Sequence, residues 1–222
     1  MVEDVLHIKG LKKKYKSKNV LKDINLNVYK GEILGLIGKN GAGKTTLLKC
    51  INSLISPSGG TIQVKRGSRI GSLIEEPGLL PYLTAAQNIK LLYHLYDKTV
   101  TDKKVEKLLN SVNLENSRVK VKDFSLGMKQ RLGIAMSLIE NPDIVLLDEP
   151  TNGLDPDGIM LFRKLILDLS KQGISFIISS HALDELSKIS SRVAFMNNGK
   201  IVYEDKNKGD LEKLFIEYIM ER

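Results

Sequence analysis

One stretch constrains this chain more than any other: Gly35-Leu-Ile-Gly-Lys-Asn-Gly-Ala-Gly-Lys-Thr-Thr46. It follows the apolar run Glu32-Ile-Leu-Gly-Leu-Ile37 and precedes a helical pattern. Strand, glycine-rich loop and helix in that order make a cradle for phosphate. The glycines let successive N–H groups curl around an anion, and the helix N-terminus adds its dipole. Gly38-x-x-x-x-Gly43-Lys44-Thr45 matches the P-loop pattern residue for residue. The candidate nucleotide-binding residues are therefore Gly38, Lys39, Asn40, Gly41, Ala42, Gly43, Lys44, Thr45 and Thr46. Lys44 places its charge between the β- and γ-phosphates, Thr45 offers a hydroxyl to Mg²⁺, and Thr46 donates to the α-phosphate.

A second signal is Asp143-Ile-Val-Leu-Leu-Asp-Glu-Pro150. Its continuous apolar run predicts a parallel strand buried on both faces. It ends in Asp148 and Glu149, and ligands of α/β sheets sit at the carboxyl ends of strands. Asp148 is placed to hold Mg²⁺ through water. Glu149, one position on, is placed to polarise an attacking water as general base. These two motifs describe a P-loop nucleoside triphosphatase and leave kinase and GTPase readings open.

Short apolar runs alternating with helical periodicity read as α/β. Strands are expected at 4–9, 20–28, 32–37, 61–65, 69–74, 143–147, 174–178, 192–196 and 200–204. Helices are expected at 44–54, 84–96, 102–112, 126–140, 157–172, 181–190 and 208–220. Asn198-Gly199 is a hairpin-turn signal, and Thr84-x-x-Gln87 fits a capping box. The block 77–140 is helix-rich and strand-free. It divides the chain into an α/β core at 1–76 and 141–222 and an inserted helical subdomain, within a single domain spanning 1–222.

Composition narrows the classes further. At 42% hydrophobic and 27% charged, 222 residues can bury a core and present a polar surface. No apolar run reaches the roughly 18 residues of a membrane span. The start, Met-Val-Glu-Asp, has acids where a signal peptide has cations, so a cytosolic location is expected. The lone Cys50 excludes a disulfide framework and a cysteine-rich metal site. Net charge is +8, densest at Lys12-Lys13-Lys14 with Lys16 and Lys18. That cluster reads as a solvated face. A single aromatic, Tyr15, lies within it, too few for the stacking platform of single-strand nucleic-acid binders, so no nucleic-acid partner is expected.

Four further stretches follow in a fixed order. Ile70-Gly-Ser-Leu-Ile-Glu-Glu-Pro77 ends a strand after the P-loop. Phe124-Ser-Leu-Gly-Met-Lys-Gln-Arg131 precedes the acidic strand, Thr151-Asn-Gly-Leu-Asp155 follows it, and His181 closes the next strand. With these the chain closely resembles the ATP-binding cassette (ABC) family, in particular the nucleotide-binding subunit of a transporter. The resemblance covers essentially all of the chain and implies a P-loop NTPase fold with a mixed-sheet core. It implies that Tyr15 stacks on adenine, that Ser125 and Gly127 contact the partner's ATP, that Asp155 communicates across a dimer, and that His181 contacts the γ-phosphate.

Two positions depart from the family pattern. The signature Leu-Ser-Gly-Gly-Gln becomes Phe124-Ser125-Leu126-Gly127-Met128, and the usual Gln at the strand end becomes Glu75, where Mg²⁺ and the attacking water are reached. Glu75 and the wording of the signature resemble the bacitracin-resistance and lantibiotic-immunity exporters. The resemblance thus implies ATP and Mg²⁺ as cofactors, a homodimer or paired ABC subunit, and separate membrane-spanning permease subunits. It places the protein peripherally on the cytoplasmic face of the cell membrane. The competing reading is an ABC ATPase that is soluble, or that transmits force without energising export.

Overall fold

The computed structural model describes residues 3–220. Among the described residues, nine strands form two sheets, and seven α-helices accompany them, with helices on both sides of the larger sheet. The smaller sheet is antiparallel, in the order β2 (Lys18–Tyr29), β1 (Asp4–Tyr15), β4 (Gly59–Val64). The larger runs β5 (Ile70–Leu73), β6 (Ile144–Asp148), β7 (Ser175–Ser180), β3 (Ile33–Ile37), β8 (Arg192–Asn197), β9 (Lys200–Lys206). Its first five strands are parallel, and β9 alone is antiparallel. This is the mixed α/β sheet that the alternating pattern predicts.

The central strands are apolar on both faces because both faces are covered. Ile33, Ile37, Val145, Leu147, Phe176 and Ile178 point into one core. Leu34, Leu36, Ile144, Leu146 and Ile177 point into the other. The first core is completed by helices, including α5 (Pro156–Lys171) through Phe162, Leu165, Ile166 and Leu169. The second is completed by α1 (Lys44–Ile51) and the small sheet, through Leu47, Leu48, Leu21 and Ile24. Each fully buried side chain of this kind contributes about 1.5–3 kcal/mol. Cys50 is buried on α1 within the second core, as a small apolar residue.

Between β5 and β6 lie α2 (Ala85–Leu95), α3 (Asp102–Ser111), a 3-10 turn (Val121–Asp123) and α4 (Leu126–Ser137). Thr84 caps α2 with the reciprocal Gln87 contact of a capping box. Asn88 fastens the preceding loop by donating to Leu80 O and accepting from Leu80 N–H at 2.8 Å. That loop is clasped to the entrance of α4. Val121 N–H donates to Leu83 O and Lys122 N–H to Pro81 O.

The observed limits differ from the expected ones where hydrophobicity is a poor guide. β1 and β2 run on through Lys12–Tyr15 and Lys18–Asn19, because their ladder continues past the apolar residues. The C-terminal helix breaks into α7 (Leu211–Phe215) and a π-helical turn (Ile216–Met220). It folds back on the protein. Leu211 and Ile219 enter the first core, and Tyr218 packs on Tyr203 at 4.7 Å between ring centroids. These contacts lay the segment's apolar side on the protein's own core; Glu221 and Arg222 lie outside the described residues.

Candidate functional site

The loop 38–43 leaves the carboxyl end of β3 and enters α1. Gly41 and Gly43 adopt φ of 81° and 108°, a region that costs glycine little and other residues more. Lys44, the first residue of α1, is folded back under the loop. Its Nζ donates to Gly38 O at 2.7 Å, and the side chain is only 6% exposed. A buried ammonium needs a counter-charge. Glu149 supplies it, with Oε1 3.2 Å away.

Glu149 sits just past β6 with φ of 47°. Left-handed geometry in a non-glycine residue costs about 1–3 kcal/mol and concentrates at functional sites. Ser179 of β7 holds it there: Glu149 N–H donates to Ser179 O at 3.1 Å and to Ser179 Oγ at 3.0 Å. Its second carboxylate oxygen lies 2.8 Å from His181 Nδ1. The acid expected as general base is therefore gripped by Lys44 on one side and His181 on the other. His181 is half exposed, at the end of β7.

Thr45 Oγ1 donates to Asp148 Oδ2 at 2.7 Å, and the hydroxyl of Ser179 donates to the other oxygen of Asp148. A hydroxyl and a carboxylate side by side are a small oxygen donor set. Among the described residues no cluster of three or more His, Cys, Asp or Glu could hold a metal by itself. That fits Mg²⁺, which keeps waters and takes one or two protein ligands plus phosphate oxygens. Ser179 was not foreseen. The signal was present as a pair of polar residues closing an otherwise apolar strand, Ser179-Ser180, both of them buried.

Glu75 lies beyond β5 with φ of 65°. It lines a cleft of about 640 Å³ together with Asp148, Glu149, Leu126, Lys129 and Gln130. Its carboxylate is 64% exposed and meets Lys49 Nζ of α1 at 2.6 Å. Lys49 is a second residue that the motifs did not single out. It sits one helical turn beyond Thr45 and neutralises the carboxylate that stands where the family has an amide.

Ser125 is the N-cap of α4, its hydroxyl accepting from Met128 N–H at 3.2 Å. Its own O–H remains able to donate elsewhere. Ser125 and Gly127 share a second hollow, of about 160 Å³, with Leu154, Asp155 and Arg131. Burial pushes the Arg131 guanidinium pKa down. Asp155 caps α5, accepting from Gly158 N–H at 2.9 Å. Leu126 reaches over Gly153, whose φ is 73°; a side-chain carbon there would stand 2.7 Å from Leu126 Cδ2 and push that side chain aside. Within this chain, Ser125, Gly127 and Asp155 thus form one group, and Lys44, Thr45, Asp148, Glu149 and His181 another, with Gln130 lining both hollows.

Tyr15 ends β1, is half exposed, and carries Lys13 Nζ 4.8 Å from its ring centroid. It pairs with Lys18, two residues before Val20, whose carbonyl abuts Gly43 of the loop. Lys13 is itself fixed by donating to Ser56 O at 2.6 Å. The ring thus carries a cation on one face, and the strand it pairs with touches the phosphate loop at Val20.

A profile of the ABC transporter family matches residues 21–152. The lantibiotic transport ATP-binding protein SrtF of Streptococcus pyogenes is 42% identical over 97% of this chain and 98% of its own. The bacitracin transport ATP-binding protein BcrA of Enterococcus faecalis is 41% identical over 96% of this chain and 72% of its own. Among solved structures, the dimeric post-hydrolysis state of the ATP-binding cassette MJ0796, bound to ADP and Pi, superposes with a TM-score of 0.81. It is 26% identical, over 91% of this chain and 99% of that one.

Proposed function

The chain belongs to the ABC transporter family, and on that premise we propose that it is the ATP-hydrolysing subunit of an exporter of peptide antibiotics, working in resistance or immunity. One observation carries the catalytic part: Lys44 and Thr45, at the start of α1, meet Glu149 and Asp148, at the end of β6. Phosphate-binding and water-activating groups are thus brought to one point by the sheet itself. The names of the two relatives carry the cargo class.

Loop 38–46 cradles the triphosphate, and Tyr15 offers the free face of its ring to the base. Lys44 exchanges Glu149 for the β- and γ-phosphate oxygens. That exchange frees the Glu149 carboxylate, which takes a proton from the attacking water as it adds to the γ-phosphorus, while the bond from that phosphorus to the β,γ-bridging oxygen breaks and ADP leaves with the electron pair. His181 follows the same path from Glu149 to the γ-phosphate. Thr45 and Asp148 hold Mg²⁺, which when bound neutralises charge on the phosphates; Glu75 reaches the same cleft with its own charge met by Lys49.

Two such chains, or this chain and a paired cassette, associate head to tail. Ser125 and Gly127 of one then face the nucleotide of the other, with Asp155 beside the contact. The room that Gly127 leaves within its own chain supports this role, since a side-chain carbon there would meet nothing nearer than 3.7 Å. The missing side chain serves a contact from outside. No described helix is long and apolar enough to cross a membrane, and the assignment gives that task to separate permease subunits. The protein then lies against the cytoplasmic face of the membrane.

The test pairs the chain with its membrane partner in a peptide-sensitive host. Co-expression raises tolerance to nisin- or bacitracin-type peptides, and Glu149→Gln abolishes the gain. Unchanged tolerance with a fully active ATPase refutes export and favours an ATPase that transmits force without moving cargo.

A further inference from the structure

The end of β8 and the turn that joins it to β9 belong to none of the nucleotide-binding motifs above, yet they lie against the phosphate loop at three points. Gly38, the first residue of the cradle, faces the carbonyl of Met196 so closely that a side-chain carbon would stand 2.3 Å from its oxygen. Gly43, the last, is backed by the Met196 methyl group, 2.9 Å from the same hypothetical carbon. Between them, Gly199 N–H donates to Ala42 O at 3.0 Å.

The turn is itself fixed from behind. Lys22 N–H of β2 donates to Gly199 O at 2.7 Å. Gly199 has φ of 78°, and a side-chain carbon on it would lie 2.2 Å from Val20 O. Val20 O is also the backbone atom nearest Gly43 from the other side, at 3.2 Å from the hypothetical carbon. The small sheet, the turn and the loop therefore meet backbone to backbone at Gly38 and Gly199, while at Gly43 the nearest atoms are the side-chain ends of Met196 and Leu21.

We propose that Gly199 and Met196 position the phosphate loop: the β8–β9 turn is its rear wall and sets its affinity for nucleoside triphosphate. This rests on the nucleotide-binding reading of loop 38–46. The physical reason is preorganisation. An anion cradle of backbone N–H groups works only if those groups already point at the phosphates before binding, since ordering them on binding subtracts from affinity. Gly41 has φ of 81° and nothing within 4 Å of where a side-chain carbon would stand, so no neighbouring element braces the tip of the loop. Bracing from outside enters at Gly38, Ala42 and Gly43, the points that Met196 and the turn touch.

Gly199→Ala adds one methyl group where backbone stands 2.2 Å away, so the turn must move and take Ala42 with it. Left-handed strain comes with the same substitution. Gly209→Ala separates the two effects. Gly209 has φ of 89° with nothing within 4 Å, so it carries the strain without the collision. The experiment measures the Kd of a fluorescent ATP analogue by titration, the steady-state KM and kcat for ATP, and the Tm of each variant.

The expected result for Gly199→Ala is a rise in Kd and KM of about tenfold or more, with kcat at saturation within about threefold of the parent and a Tm fall similar to that of Gly209→Ala. Gly209→Ala leaves Kd and KM unchanged. If Gly199→Ala does not fold, Met196→Leu, which keeps side-chain volume but shortens the reach toward Gly43, is expected to raise Kd about threefold at near-parental Tm. Unchanged Kd in Gly199→Ala, equal shifts in both glycine variants, or, should that variant not fold, unchanged Kd in Met196→Leu overturns the proposal. Lys44→Ala in the same titration keeps the underlying reading separate. If it too binds normally, loop 38–46 is not the nucleotide site; if it alone loses binding, only the role of the turn fails.

Discussion

Replacing Glu149 by Gln should do two opposite things at once. The parent carboxylate lies 3.2 Å from Lys44 Nζ, and both side chains are largely buried, 20% and 6% exposed. At an effective dielectric near 20, a unit charge pair about 4 Å apart attracts by about 4 kcal/mol. A triphosphate arriving at Lys44 must displace that partner, and its own oxygens replace most, not all, of the attraction. If about a third is left uncompensated, the carboxylate competes with nucleotide by about 1.4 kcal/mol, or tenfold in Kd.

The amide keeps the shape but not the charge, so ATP should bind roughly tenfold more tightly to Glu149→Gln. Loss of the general base should meanwhile lower kcat by about 10²–10⁴-fold. Isothermal titration with ATP and a phosphate-release assay read the two effects on one preparation. Tighter binding with normal turnover refutes the general-base role. Slow turnover with unchanged or weaker binding refutes the competition between Glu149 and phosphate for Lys44.

Ser179→Ala removes the hydroxyl that steadies both Asp148 and the Glu149 backbone; turnover and apparent Mg²⁺ affinity should fall about 10–100-fold, and a Mg²⁺ titration of ATPase showing neither change removes Ser179 from the site. Arg192→Met strands the Glu32 carboxylate, which now pairs with Arg192 Nε at 2.6 Å behind side chains 11% and 9% exposed. Losing one member of such a pair costs about 3 kcal/mol, so Tm should drop by roughly 6–12 °C in thermal denaturation, and an unchanged Tm contradicts it. Burial pushes the Cys50 thiol pKa up, leaving less reactive thiolate at any given pH. A disulfide reagent should therefore modify the native protein far more slowly than the urea-unfolded chain, and equal rates would place Cys50 at the surface.

The order of strands and helices was legible because each central strand is a short apolar run and each helix except Leu183–Ile189 has a cap or a glycine near its start. Thr84 and Gln87 announced a helix start, and Asn198-Gly199 a turn, from local chemistry alone. The P-loop was legible because its backbone shape demands glycines at fixed spacing. Contacts between distant residues were not. Ser179 reaches Asp148 across two neighbouring strands, and Lys49 reaches Glu75 only because α1 runs past the end of β5. Nothing in either stretch alone specifies its partner. The lysine-rich ends of β1 and β2 were also hidden, since an exposed ladder is held by backbone hydrogen bonds that leave no hydrophobic trace.

The clasp between residues 80–84 and 120–122 shortens the mechanical route through the molecule. Along the chain, Leu80 and Ser125 are separated by α2 and α3 in their entirety. Through the bonds from Lys122 N–H to Pro81 O and from Val121 N–H to Leu83 O, they are neighbours, with a single 3-10 turn between the clasp and the cap of α4. A tug on the loop that follows Glu75 is then felt at Ser125 without first deforming the packed interior. The two helices in between are fixed to the same core by Ile89, Tyr93, Val105 and Leu109, so the clasp is a second and shorter path beside them.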